Sequence, residues 1–167
     1  MNMMVAILIS IFGLVSASFD YDGRPTLEDV QKFYRSRENI YVLRRSFKLE
    51  DESGDSPKCI WNKRVDGDVF KLQEAYVVGL TVTYYTVTID LKKEGGRDEA
   101  PTMTAAPSAR WTARKIGNQQ DGSMTTGRNG PRLYTFQYYD RLQQCAVVTF
   151  YDGVTRCQLH FWEKKIF

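Results

Sequence analysis

Histidine occurs once in this chain and cysteine three times, and no stretch gathers Lys and Arg into a basic run. One histidine, no Gly-x-Ser-x-Gly elbow and no Gly-rich phosphate loop leave little from which to build nucleophilic, acid–base or phosphoryl-transfer chemistry, so an enzyme is not expected. A zinc site is disfavoured because there is no close cysteine pair to join the lone His160. No other metal and no cofactor is called for. The formal charge of +3 is small. Without a Lys/Arg stripe interleaved with stacking aromatics it is no nucleic-acid footprint.

Long apolar runs are equally scarce. The one that exists, Met1 to Ala17, "MNMMVAILISIFGLVSA", has no ionisable side chain. It is shorter than the roughly 20 residues that span a bilayer, and Val15 and Ala17 stand where a signal peptidase accepts small residues. Residues 1–17 are therefore read as a cleaved signal peptide and residues 18–167 as a single domain, secreted, monomeric and without a membrane partner. In an oxidising compartment Cys59, Cys145 and Cys157 are bridge candidates, and an odd count leaves one sulfur free or bonded to another molecule.

In "TLEDVQKFY", Thr26 precedes Leu27, Val30 and Phe33, with Asp29 three residues after the threonine. This is close to a capping box feeding one apolar stripe, and it predicts a short helix over 27–35. From Ile40 the period changes to two. "IYVLRRSF", "KCIWNKRV", "DVFKLQEAYVV", "TVTYYTVTIDLKK", "ARWTARKI", "RLYTFQYYDR" and the two arms of "CAVVTFYDGVTRCQLHFW" are eight strand-like runs, rich in β-branched and aromatic residues and separated by Gly, Asp, Asn and Pro. Consecutive antiparallel neighbours that must hide their edges predict an up-and-down eight-stranded barrel. Asp152-Gly153 fits a two-residue type I′ turn, which would set Tyr151 against Val154, Val148 against Cys157 and Cys145 against His160. Cys145 would then point away from Cys157. Residues 95–108 and 117–131 read as two long loops.

Taken in order, several short motifs complete a pattern: the opening apolar segment, the short helix, "SFKLED" (Ser46 to Asp51), Lys58-Cys59, the Tyr138-Tyr139-Asp140 run before Cys145, and Cys157-Gln158-Leu159. Over roughly residues 26–162 the chain resembles the tick salivary lipocalins of the histamine-binding family. The resemblance implies an all-β, eight-stranded antiparallel lipocalin barrel with a short N-terminal helix. It further implies sequestration of a small host mediator, a biogenic amine such as histamine or serotonin, at a feeding site, to suppress host inflammation and defence. An anionic lipid mediator, leukotriene or fatty acid, is the alternative, and a protein-binding effector of complement or haemostasis working through the long loops is another. In the family, cysteines like Cys59 and Cys145 pair with cysteines in or after a C-terminal helix that has no counterpart here before Phe167. The resemblance therefore leaves Cys59 to pair with Cys157 or Cys145, with Cys59–Cys157 favoured, a link worth on the order of 4 kcal/mol by loop closure.

A small barrel holds one ligand among inward residues that alternate along each strand. Parity and apolar character put Tyr41, Leu43, Arg45 and Phe47 inside and Ile40, Val42, Arg44 and Ser46 outside. The family resemblance sets Phe47 against the ligand and makes Glu50 the acid that pairs an amine, with Asp90 a second acid by parity alone. Arg45 inside would instead suit a carboxylate-bearing lipid or pair internally with Glu50 or Asp90. Where the family has Cys-Glu-Leu-Trp, this chain has Cys157-Gln158-Leu159-His160. Gln158 keeps hydrogen bonding without charge, His160 a flat titratable ring, and Trp162 an aromatic wall. Trp111, Tyr134, Phe136 and Tyr138 are further wall aromatics.

Overall fold

The computed structural model describes residues 21–49, 56–65, 67–68, 70–93, 95–96, 99–115, 118–123 and 130–166; within 109–123 the backbone path is described but, except for Thr112, not the side chains. The helix α1, Leu27–Arg35, forms where predicted. Thr26 Oγ1 accepts from the Asp29 backbone N–H at 3.1 Å and the Asp29 carboxylate accepts from the Thr26 N–H at 2.9 Å, which satisfies two otherwise orphaned donors.

Nine strands follow among the described residues: β1 Ile40–Arg45, β2 Cys59–Arg64, β3 Lys71–Val78, β4 Thr81–Lys92, β5 Thr102–Lys115, β6 Asn118–Ser123, β7 Arg132–Asp140, β8 Cys145–Tyr151 and β9 Thr155–Trp162. Pairing runs β1 to β5 in order, then β7, β8, β9 and back to β1, every pair antiparallel. Eight strands thus close an up-and-down barrel. The ninth, β6, pairs only with the later half of β5, from Arg110 to Lys115, and lies outside the cycle.

Three expectations change. The second half of the stretch read as a loop over 95–108 is the first half of β5, and 117–131 contains β6. Pro107 and the alanines of "TMTAAPSARWTARK" hide a 14-residue strand. Pro107 sits beside a register break opposite Tyr85 and Val87, where a missing N–H does least harm. Second, the last hairpin closes on three residues, because Tyr151 faces Thr155 and Gly153 alone takes a left-handed φ of +93°. Cys145 consequently stands opposite Phe161 and Thr149 opposite Cys157, so the two cysteines share a face four residues apart along it.

Third, β1 carries an extra residue between Val42 and Arg44 against β9. Ile40 and Val42 face inward opposite Trp162 and His160; past the irregularity Arg45 faces inward opposite Gln158. Tyr41, paired with Trp61 and Phe161, and Leu43, 48% exposed, lie on the outer face, contrary to the simple alternation.

All three cysteines are free. β1 lies between the strands of Cys59 and Cys157, two strand spacings or about 10 Å, beyond the roughly 7 Å that a disulfide tolerates. The expected Cys59–Cys157 bridge is not formed, and Cys145 is one strand farther from Cys59.

The core is one cluster. α1 caps one end of the barrel with Val30, Phe33 and Tyr34, all at most 2% exposed. Phe33 stacks on Trp162 at 5.9 Å and meets Tyr34 and Tyr139 edge-on. Among the described residues no helix caps the opposite end.

Candidate functional site

Inward residues of β3, β4, β5, β7 and β8 build the end opposite α1. A cavity of about 580 Å³ lies there, lined by Glu74, Val87, Ala105, Pro107, Arg132, Tyr134 and Phe150 among others. Beneath it a chamber of about 30 Å³, room for a water or two, runs to the capped end. Glu74, Val87, Ala105 and Tyr134 line both, so they form the boundary between mouth and chamber.

Glu74 follows from the strand pattern. In "KLQEAYVV", Leu72, Glu74 and Tyr76 are in phase, and the first and last are 2% and 8% exposed, which carries the glutamate inward with them. Tyr76 donates its hydroxyl to Glu74 Oε1. Tyr85, paired directly across from Glu74, packs edge-on against Tyr76 at 5.5 Å. Burial and the Glu74 charge push its phenol up to about 12. Glu74 thus sits among tyrosines, as one acid in an aromatic setting.

Arg132 stands on another wall. It opens β7 in phase with Tyr134 and Phe136, and its guanidinium lies 4.2 Å from the centroid of the Phe150 ring. Phe150 in turn packs edge-on against Tyr134 at 5.2 Å and Phe47 at 5.4 Å. Arg156 caps Phe47 at 5.1 Å while pairing with Asp152 at 2.7 Å.

The chamber floor is polar. Asn62, Gln158 and His160 are at most 5% exposed. His160 Nε2 donates to Gln158 Oε1 at 3.0 Å, which leaves Nδ1 to accept from the Tyr34 hydroxyl at 3.2 Å. Burial pulls the His160 ring down to about 4 and lifts the Tyr34 phenol well above its ordinary value, so both are neutral near pH 7. The cation that a protonated His160 would set against an amine is absent at that pH.

Of the residues singled out from the sequence, Tyr134 lines both cavities, and Gln158 and His160 line the chamber. Arg45 faces inward with Nη2 donating to the Pro57 carbonyl at 3.2 Å, and Phe47 supports Phe150 from behind. Phe136, 1% exposed, is core against Tyr34. Trp162 is committed to the cap, its Nε1 donating to the Phe33 carbonyl at 3.2 Å. Tyr41 points outward and donates to Glu163 Oε1 at 3.1 Å. Asp90 is outward as well, paired with Lys92 at 2.8 Å, and Tyr138 is exposed over Gly23. Glu50 and the Trp111 side chain lie outside the described residues. Glu74, Arg132 and Phe150 were not singled out, although the phase of a charged residue within an otherwise apolar strand face marks the first two.

The closed barrel with its short helix is compatible with a lipocalin fold. No family model, no curated protein and no solved structure matches the chain.

Proposed function

We propose that this chain is a secreted lipocalin-type scavenger, a binder and not an enzyme, that takes a small amine-bearing aromatic mediator into the mouth of its barrel. The observation that carries the reading is Glu74, the one acid on the wall of either cavity among the described residues, set beside Tyr76, Tyr85 and Tyr134. An amine is a cation at neutral pH. In the half-enclosed mouth it gains a charge-assisted hydrogen bond of about 1.5–3 kcal/mol from a carboxylate and about 0.5–2 kcal/mol from an aromatic face. The mouth volume of about 580 Å³ is in the range of small-molecule sites. The tick salivary resemblance points to the same class of guest, with Glu74 in the part that the motif match had given to Glu50.

Calorimetry with serotonin and histamine tests this. Glu74→Gln is expected to weaken binding about ten- to hundredfold, the effect of losing one charge-assisted contact. Equal heats from wild type and variant would rule the reading out. For the anionic-lipid alternative a leukotriene titration lost in Arg45→Ala is the matching result, although Arg45, bonded to the Pro57 carbonyl, lines neither cavity. Silence with all three probes would favour a protein-binding effector.

A further inference from the structure

The wall of the mouth carries two charged residues among those described, one of each sign: Glu74 on β3 and Arg132 on β7. β4 and β5 separate them, three strand spacings or about 14 Å around the wall. They are therefore on different sides of one opening. The two differ in their surroundings. Glu74 is engaged by Tyr76, whereas Arg132 makes no ion pair among the described residues and stacks on Phe150. Stacking fixes the guanidinium plane and leaves its N–H edge available, which is the geometry that receives a carboxylate or similar anion.

We infer that Arg132 is an anion-receiving group of the mouth, and that the preferred guest is a zwitterion, with its ammonium at Glu74 and its anionic group at Arg132. The amine half of this statement rests on the function proposed above; the anionic half stands on Arg132 alone. The neighbouring wall favours it further. Pro107, Tyr134 and Phe150 supply apolar and aromatic surface, and no acid besides Glu74 lines the cavity among the described residues. A guest with charges at both ends and a flat apolar middle matches this arrangement. A plain amine leaves Arg132 unused, and a plain acid leaves Glu74 facing it.

Three probes built on one ring separate the parts: benzylamine, benzoate and 4-(aminomethyl)benzoate, titrated calorimetrically into the secreted protein. The zwitterion is expected to bind about tenfold or more tighter than either half-probe, the gain of one further charge-assisted contact. Arg132→Gln should abolish the zwitterion's advantage over benzylamine when both are measured in that same variant. Arg132→Lys should retain part of the preference, and unchanged circular dichroism would verify folding of both variants. A zwitterion that binds no better than benzylamine, or whose advantage survives Arg132→Gln, overturns the inference, as does silence with every probe. If benzylamine ignores Glu74→Gln while benzoate is lost in Arg132→Gln, the amine reading fails and the anion-receiving role of Arg132 stands.

Discussion

His160 shows how far burial can carry a single side chain from its solution behaviour. In the unfolded chain its imidazole titrates near 6.5, while in the barrel it does so at about 4, because burial disfavours the cation. The unfolded state therefore binds the extra proton between those values. Stability is expected to be constant above about pH 6.5 and to fall by about 3 kcal/mol as pH drops towards 4, with no further loss from this group below that. Urea melts at pH 7.5, 6, 5 and 4.5 measure this slope, and His160→Gln should flatten it. Asp29 acts in a separate window. Burial alone would raise its pKa, but hydrogen bonds from Arg141 and Thr26 outweigh that and hold it below 3.8, so its contribution is lost only at more acid pH. That Asp29 would cap a helix was legible from four residues of sequence. That Arg141, 112 positions away, would reach the same carboxylate at 2.7 Å was not, since nothing local to either residue refers to the other.

α1 was legible in full, cap included, because capping and amphipathicity are properties of nine consecutive residues. Its role as the cap of the barrel is a matter of packing. Phe33→Ala, which empties a site of 0% exposure between Trp162 and Tyr139, is expected to cost about 3–5 kcal/mol, and Thr26→Ala about 1 kcal/mol. Denaturant midpoints of the two variants decide between an integral cap and a helix that only rests on the barrel, for which both changes would cost little. Among the strands, β3, β7, β8 and β9 declare themselves through β-branched and aromatic alternation. The first half of β5 and all of β6 do not, because alanine, glycine and a proline carry little strand preference of their own, and these segments become strands through the partners that they find.

Closure of the sheet settles matters that no segment contains. β4 and β5 complete the cycle with long pairing, and β1 finds β9 more than 110 residues later. The same closure holds the sulfurs apart. Intact mass after alkylation in denaturant without reductant should therefore show three labelled thiols, and native labelling should be slowest at Cys145, which is 8% exposed and whose pKa burial raises. A mass two hydrogens lighter, with one label, would instead report a bridge and a changed register. Period-two patterning was enough to predict an antiparallel barrel with a helix at its start, since alternation, turn residues and caps act over a few residues. The inward face of β1, the three-residue hairpin and the opposition of Glu74 to Arg132 arose only when distant strands met. A bulge exists in a pair of strands and not in either one, and a single extra residue there reverses which side chains see the lumen.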